Sequence, residues 1–186
     1  MNRIHQLSPE EAGGKTAQLY SAIESRLGFV PNLMRVLGNS PAALEGYLSL
    51  SAAIARGVLP ARVREQIALA VAEINGCDYC LSAHAFLGAR EGLSLRDIAA
   101  ARQAESTNDE TEGILQLARS ITIQHGQLSD EDIAIARQVG LNDGQIVEVV
   151  LNVVENILTN YVNNVALTVI DFPEIERTGA SSRVGA

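Results

Sequence analysis

The sequence predicts an all-α fold of about nine helices, and three observations carry that prediction. Helix-starting and helix-stopping residues punctuate the whole chain, with no stretch that alternates convincingly as a strand. Apolar residues make up 47% of the 186 and aromatics only 4%, with no Trp, so the core is built from Ala, Leu, Ile and Val. Finally, LSLRDIAAARQ from residue 93 and LSDEDIAIARQ from residue 128 agree at Leu, Ser, Asp, Ile, two Ala, Arg and Gln. Two copies are too few for a solenoid, and the simpler reading is one capping device used twice, although a duplicated helical hairpin fits as well.

The elements follow in order. Ser8-Pro9-Glu10-Glu11 joins a Ser cap, a Pro at the first helical position and a Glu at the third, so a first helix is expected over residues 8–27, ended by Gly28. A short second helix occupies 32–37 and stops at Gly38, and Ser40-Pro41 caps a third that ends at Gly57. Pro60 opens a fourth, which stops at Asn75-Gly76, and the fifth begins at the cysteines and reaches Arg90. Gly92 with the Ser94/Asp97 pair, and Gly126 with the Ser129/Asp132 pair, mark two further stops and starts on either side of a periodic stretch at 109–125. The last long helix, 143–170, places Asn152, Asn156, Asn160 and Asn164 in one stripe, with Val and Ile at most other positions. So much of its circumference is apolar that it must pack on two sides, either as a buried central helix or at a subunit interface.

One domain over 1–172 with a flexible tail over 173–186 accounts for the length. A net charge of -8 and 14 Lys+Arg against 22 Asp+Glu argue against nucleic acid as a partner, because phosphate binding needs a cationic footprint. The first residues hold no apolar run long enough for a signal-peptide core, and the most apolar tract, 146–169, is interrupted by Glu148, Glu155 and five Asn. A soluble cytoplasmic protein without a membrane partner is expected. In that setting two cysteines are reactive or metal-binding sooner than structural.

Those cysteines, Cys77 and Cys80, are the only two, and His84 stands four residues beyond the second. Structural zinc needs four ligands, and only the distant His5 and His125 could add to these three, so no metal and no other cofactor is expected. Redox chemistry is the stronger reading. Cys77 at a helix N-terminus is favoured as thiolate by the unpaired N–H groups and the macrodipole, whereas Cys80 lies one turn from His84 and can exchange a proton with it. The residues alone leave the choice of nucleophile open.

Magnitudes show why proton transfer matters. Lowering a thiol pKa from ~8.5 to ~6.5 raises its thiolate fraction roughly 25-fold at pH 7, but the accompanying loss of nucleophilicity costs about 6- to 10-fold. A useful rate must therefore come from orientation and from protonating the leaving oxygen. The fourth helix offers Glu65, which falls among Ala61, Ala68, Leu69 and Ala72 and is a candidate for a buried carboxyl with a raised pKa. Glu73 projects beside Arg62 and Gln66 and reads as a solvated surface charge.

The pattern Glu65, Cys77, Cys80, His84, set in VREQIALAVAEINGCDYCLSAH, resembles the carboxymuconolactone decarboxylase and alkylhydroperoxidase D group, in particular its peroxidase-related members. The C-terminal GLNDGQIVEVVLNVVENILTNYVNNVAL is similar to such members too. The resemblance implies an all-helical bundle that assembles as a trimer or hexamer, with Cys80 as the peroxide-reactive thiol, Cys77 as the resolving thiol and His84 with Glu65 as the proton relay. The family's peroxidase carries a second His between its cysteines, where this chain has Tyr79, and a phenol of pKa ~10 does not shuttle protons near neutrality as imidazole does.

The function expected is thus a thiol-dependent peroxidase that reduces hydrogen or organic peroxides through a dithiol/disulfide cycle, served by a dithiol reductant of the dihydrolipoyl or thioredoxin kind. A non-peroxidatic dithiol-disulfide oxidoreductase or redox sensor is one alternative. A cofactor-free enzyme of the carboxymuconolactone decarboxylase type, using Glu65 and His84, is another.

Overall fold

The computed structural model describes residues 2–175, and these form nine helices and no strand. In order they are α1 (Gly14–Leu27), α2 (Asn32–Leu37), α3 (Pro41–Ile54), α4 (Ala61–Asn75), α5 (Asp78–Arg90), α6 (Leu95–Arg102), α7 (Asp109–Ile123), α8 (Asp130–Gln138) and α9 (Asp143–Ala166). The helix at the centre is α4, which packs against α5, α6, α7 and α9. Every residue from Gln66 to Ala72 is buried, and the small side chains Ala68, Ala70 and Ala72 let neighbouring helices come close on several sides.

The starts mark themselves as expected at α6 and α8, where Ser94 with Asp97 and Ser129 with Asp132 close reciprocal capping boxes. The first helix does not begin where Ser8 suggested. Ser8 and Glu11 do exchange the two hydrogen bonds of a capping box, at 2.8 and 3.3 Å, but they close a single turn. Gly13 is then extended and Gly14 left-handed at φ 56°, so the helix starts again from Gly14. The last helix stops four residues short of the expectation because Leu167 adopts a left-handed conformation at φ 50°.

The side chains of α9 are disposed inside out. Asn152, Asn156, Asn160 and Asn163 are buried, while Val147, Val150, Val154, Leu158, Tyr161 and Val165 are exposed. The polar stripe therefore lies against the protein, and it drifts from Asn160 to Asn163 instead of Asn164, as a 3.6-residue helix requires. Beyond α9 the chain turns back over α5: Phe172 meets the rings of Phe29, Tyr79 and Phe86 at centroid distances of 5.8 to 5.9 Å, and Ile175 N donates to Ser82 Oγ at 3.3 Å. Of the tail expected over 173–186, residues 176–186 lie outside the described residues. No described helix is long and apolar enough to cross a membrane.

Glu73 is not a solvated charge. Its carboxylate accepts from Arg102 Nε at 2.8 Å, and the two side chains are 14% and 9% exposed, because α6 folds across this face of α4. Removing one member of a buried pair strands the other without compensation. Glu73→Ala is expected to destabilise the fold by about 3 kcal/mol, read as a lower urea midpoint at unchanged slope. A midpoint within error of wild type would show that the pair carries no net stability.

Candidate active site

Asn75 closes α4, and Gly76, left-handed at φ 62°, turns the chain so that Cys77 caps α5. The Cys77 sulfur accepts the Cys80 N–H at 3.3 Å, which makes this thiol the N-cap side chain of its helix. Both cysteines are free thiols and buried, Cys77 fully and Cys80 to within 2%. One turn further along α5, His84 Nδ1 lies 2.8 Å from Glu65 Oε2, so the α4–α5 contact carries the carboxylate to the imidazole as the sequence suggested. Glu65 itself is not sealed in the core. Its side chain and that of His84 are 20% and 22% exposed, at the rim of a cavity.

The electrostatics separate the two thiols. Burial works to raise the Cys80 pKa, but the hydrogen bond from Cys77, the charge of His84 and the side-chain amides of Asn163 and Asn160 outweigh it and bring it down to about 7. Asn163 Nδ2 points at the Cys80 sulfur from 3.2 Å. Asn160, whose Oδ1 accepts from Asn75 Nδ2 at 2.9 Å, leaves its own Nδ2 without a full hydrogen bond beside that sulfur. Cys77 moves the opposite way, pushed up by its hydrogen bond to Cys80 and by burial. The N-terminal position that argued for Cys77 as thiolate is thus overridden by the donors converging on Cys80.

Burial alone would lower the pKa of His84, yet the charge and hydrogen bond of Glu65, with help from Cys80 and Glu155, raise it. Both shifts favour the charged forms, an imidazolium and a thiolate. Glu155 is a residue the sequence reading passed over. It stands half-buried on α9, with burial holding its carboxyl above the usual range against the opposing influence of Ser51 and His84. It lines a polar chamber of about 190 Å³ together with Glu65, His84, Arg64 and Tyr47. A larger, mainly apolar cavity of about 540 Å³ meets this chamber at Tyr47, Ser51, His84 and Leu87, so His84 faces both.

Tyr79, which stands where a second histidine was expected to matter, turns away from the sulfurs. Its hydroxyl accepts Leu33 N–H at 3.2 Å and its ring packs edge-on against Phe172. Burial, first of all, raises the phenol pKa. Its position between the cysteines serves packing of α2 on α5. Among the described residues, no three His, Cys, Asp or Glu side chains are gathered in a metal-binding arrangement.

Comparison with known proteins agrees with this picture. A peroxidase-related protein from Ralstonia eutropha JMP134, described as an alkylhydroperoxidase D core, superposes with a TM-score of 0.81 at 20% identity, covering 91% of this chain and 92% of its own. A debrominase crystallised with 2,3,4-tribromopyrrole gives a TM-score of 0.77 at 18% identity, covering 91% of each chain. The architecture is therefore that of the alkylhydroperoxidase D-like proteins. Residues 41–119, from the start of α3 into α7 and including the whole dithiol helix, match the carboxymuconolactone decarboxylase family, so the resemblance read from the motif holds. An alkyl hydroperoxide reductase of Mycobacterium tuberculosis is 29% identical over 85 residues, 45% of this chain; that match spans only a quarter (25%) of the relative's length.

With the Cys80 pKa brought down to about 7 by its surroundings, its reaction with a small uncharged thiol reagent should fall about tenfold per pH unit below 7 and level off above it. Asn163→Ala removes a donor from the sulfur and should move the inflection upward by roughly one unit, the equivalent of one hydrogen bond. Mass-spectrometric rates across pH read both, and an unmoved inflection would remove Asn163 from the account.

Proposed function

We propose that this protein is a thiol-dependent peroxidase of the alkylhydroperoxidase type. The observation that carries the reading is the convergence on one buried sulfur, Cys80, of amide donors from α9, a neighbouring thiol and an imidazole held by a carboxylate. Cys80 thiolate attacks the peroxide, breaking the O–O bond and taking one oxygen as sulfenic acid. The departing alkoxide or hydroxide takes its proton from His84, which Glu65 orients and keeps charged. Cys77, protonated in the resting state, then attacks the sulfenic sulfur; its thiol proton leaves with the hydroxyl as water, and a Cys77–Cys80 disulfide remains. A dithiol reductant of the dihydrolipoyl or thioredoxin kind returns both sulfurs to thiols. With Tyr79 engaged to Leu33, His84 and Glu65 form the relay without a second imidazole.

Reduced protein treated with one equivalent of an organic hydroperoxide should form the Cys77–Cys80 disulfide within the mixing experiment, as read by mass spectrometry. Cys80→Ser abolishes turnover, whereas Glu65→Gln slows disulfide formation, by about 10²-fold, without preventing it. Formation no faster than in the unfolded chain would defeat the proposal. Oxidation by small disulfides alone would instead favour a dithiol-disulfide oxidoreductase.

Self-association belongs to the same proposal. The outward Val and Leu side chains of α9 form a continuous apolar strip of the sort that subunits cover. Val150→Glu/Val154→Glu should shift the protein to a smaller species in sedimentation, with little change in helix content. A wild-type monomer would dismiss this part.

A further inference from the structure

The apolar cavity is far larger than hydrogen peroxide requires, and its composition describes a different guest. Its volume of about 540 Å³ falls in the range of pockets for drug-sized ligands. Its walls are hydrocarbon and aromatic, with Leu27, Met34, Phe29, Phe86 and Phe172 among the lining residues. Where it meets the polar chamber, its lining includes Tyr47, Ser51 and His84. The lining also includes two guanidinium groups, Arg26 from the last turn of α1 and Arg90 from the last turn of α5.

Neither arginine has a carboxylate partner among the described residues, although the chain carries a net charge of -8. Arg90 instead lies over the Phe86 ring, 6.0 Å from its centroid, so its charge is held against the apolar wall. Unpaired cations bordering an apolar cavity are complementary to an anion with a hydrocarbon body.

Resting on the peroxidase reading for the chemistry at its inner end, we propose that this cavity binds amphiphilic hydroperoxides bearing a carboxylate, with the peroxide group at His84 and the carboxylate at Arg26 and Arg90. The six residues from His84 to Arg90 set the scale, a rise of about 9 Å along α5. The guest is therefore a chain with its peroxide well inside the hydrocarbon, as in an oxidised fatty acid, and not a compact peroxide.

Two measurements on the full chain test this. Isothermal titration of the reduced protein with a long-chain hydroxy fatty acid and with its methyl ester reads binding without any redox step. The acid should bind at least tenfold more tightly than the ester, and that ratio should fall towards one in Arg26→Gln/Arg90→Gln while Arg26→Lys/Arg90→Lys keeps most of it. Disulfide formation with the matching hydroperoxide acid and ester should show the same preference. Equal affinity for acid and ester in wild type, or a preference that survives the Gln pair, overturns the proposal. If the hydroxy acid binds as expected but no hydroperoxide forms the disulfide, the cavity assignment stands and the peroxidase reading falls.

Discussion

A buried sulfur, Cys80, on which polar groups from separate helices converge is the constraint around which this site is arranged. Burying an ionised group is costly unless hydrogen-bond donors and an opposite charge replace its hydration. Here the replacements come from separate parts of the chain: Asn163 and Asn160 from α9, the thiol of Cys77 from the cap of α5, and His84 from the next turn. Of the asparagines that α9 turns inward, Asn160 and Asn163 serve this sulfur, whereas Asn152 and Asn156 donate to carbonyls of α9 itself. The central α4 carries Glu65 to His84 while packing against α5, α6, α7 and α9 together.

Much of the fold could be read from local signals because those signals act locally. Ser94/Asp97 and Ser129/Asp132 form their boxes wherever the following residues can be helical, and Gly76 ends α4 by a backbone conformation that its own lack of a Cβ permits. The same locality misled at Ser8, whose box is formed but is followed by Gly13-Gly14, a break that propensity alone does not rank against a cap. Glu73 failed for another reason. Its partner Arg102 is 29 residues away on α6, and helical periodicity says which way a side chain points, not what arrives to meet it.

The site was legible to the extent that it lies on contiguous turns. Cys77, Cys80 and His84 sit within eight residues, and the offset to Glu65 is fixed by one helix and one turn. Asn163, 83 residues beyond Cys80, gave no such signal, although the asparagine stripe was visible and its neighbour Asn164 was placed in it. What no pattern disclosed was which of these asparagines meet the sulfur: asparagines buried beside a thiol and asparagines buried in an ordinary polar seam look alike in sequence. Glu155 was noticed merely as an interruption of an apolar tract, and its standing beside His84 depends on α9 lying across α4.

The cap of α5 has a consequence for the disulfide state. In the reduced protein the Cys77 sulfur accepts the Cys80 N–H, a contact of the kind that contributes about 0.5–2 kcal/mol to a helix. Once that sulfur is bonded to its neighbour it is a poorer acceptor and is no longer free to choose its angle. In the proposed cycle, forming the disulfide would thus loosen the first turn of α5, and reduction would restore its cap.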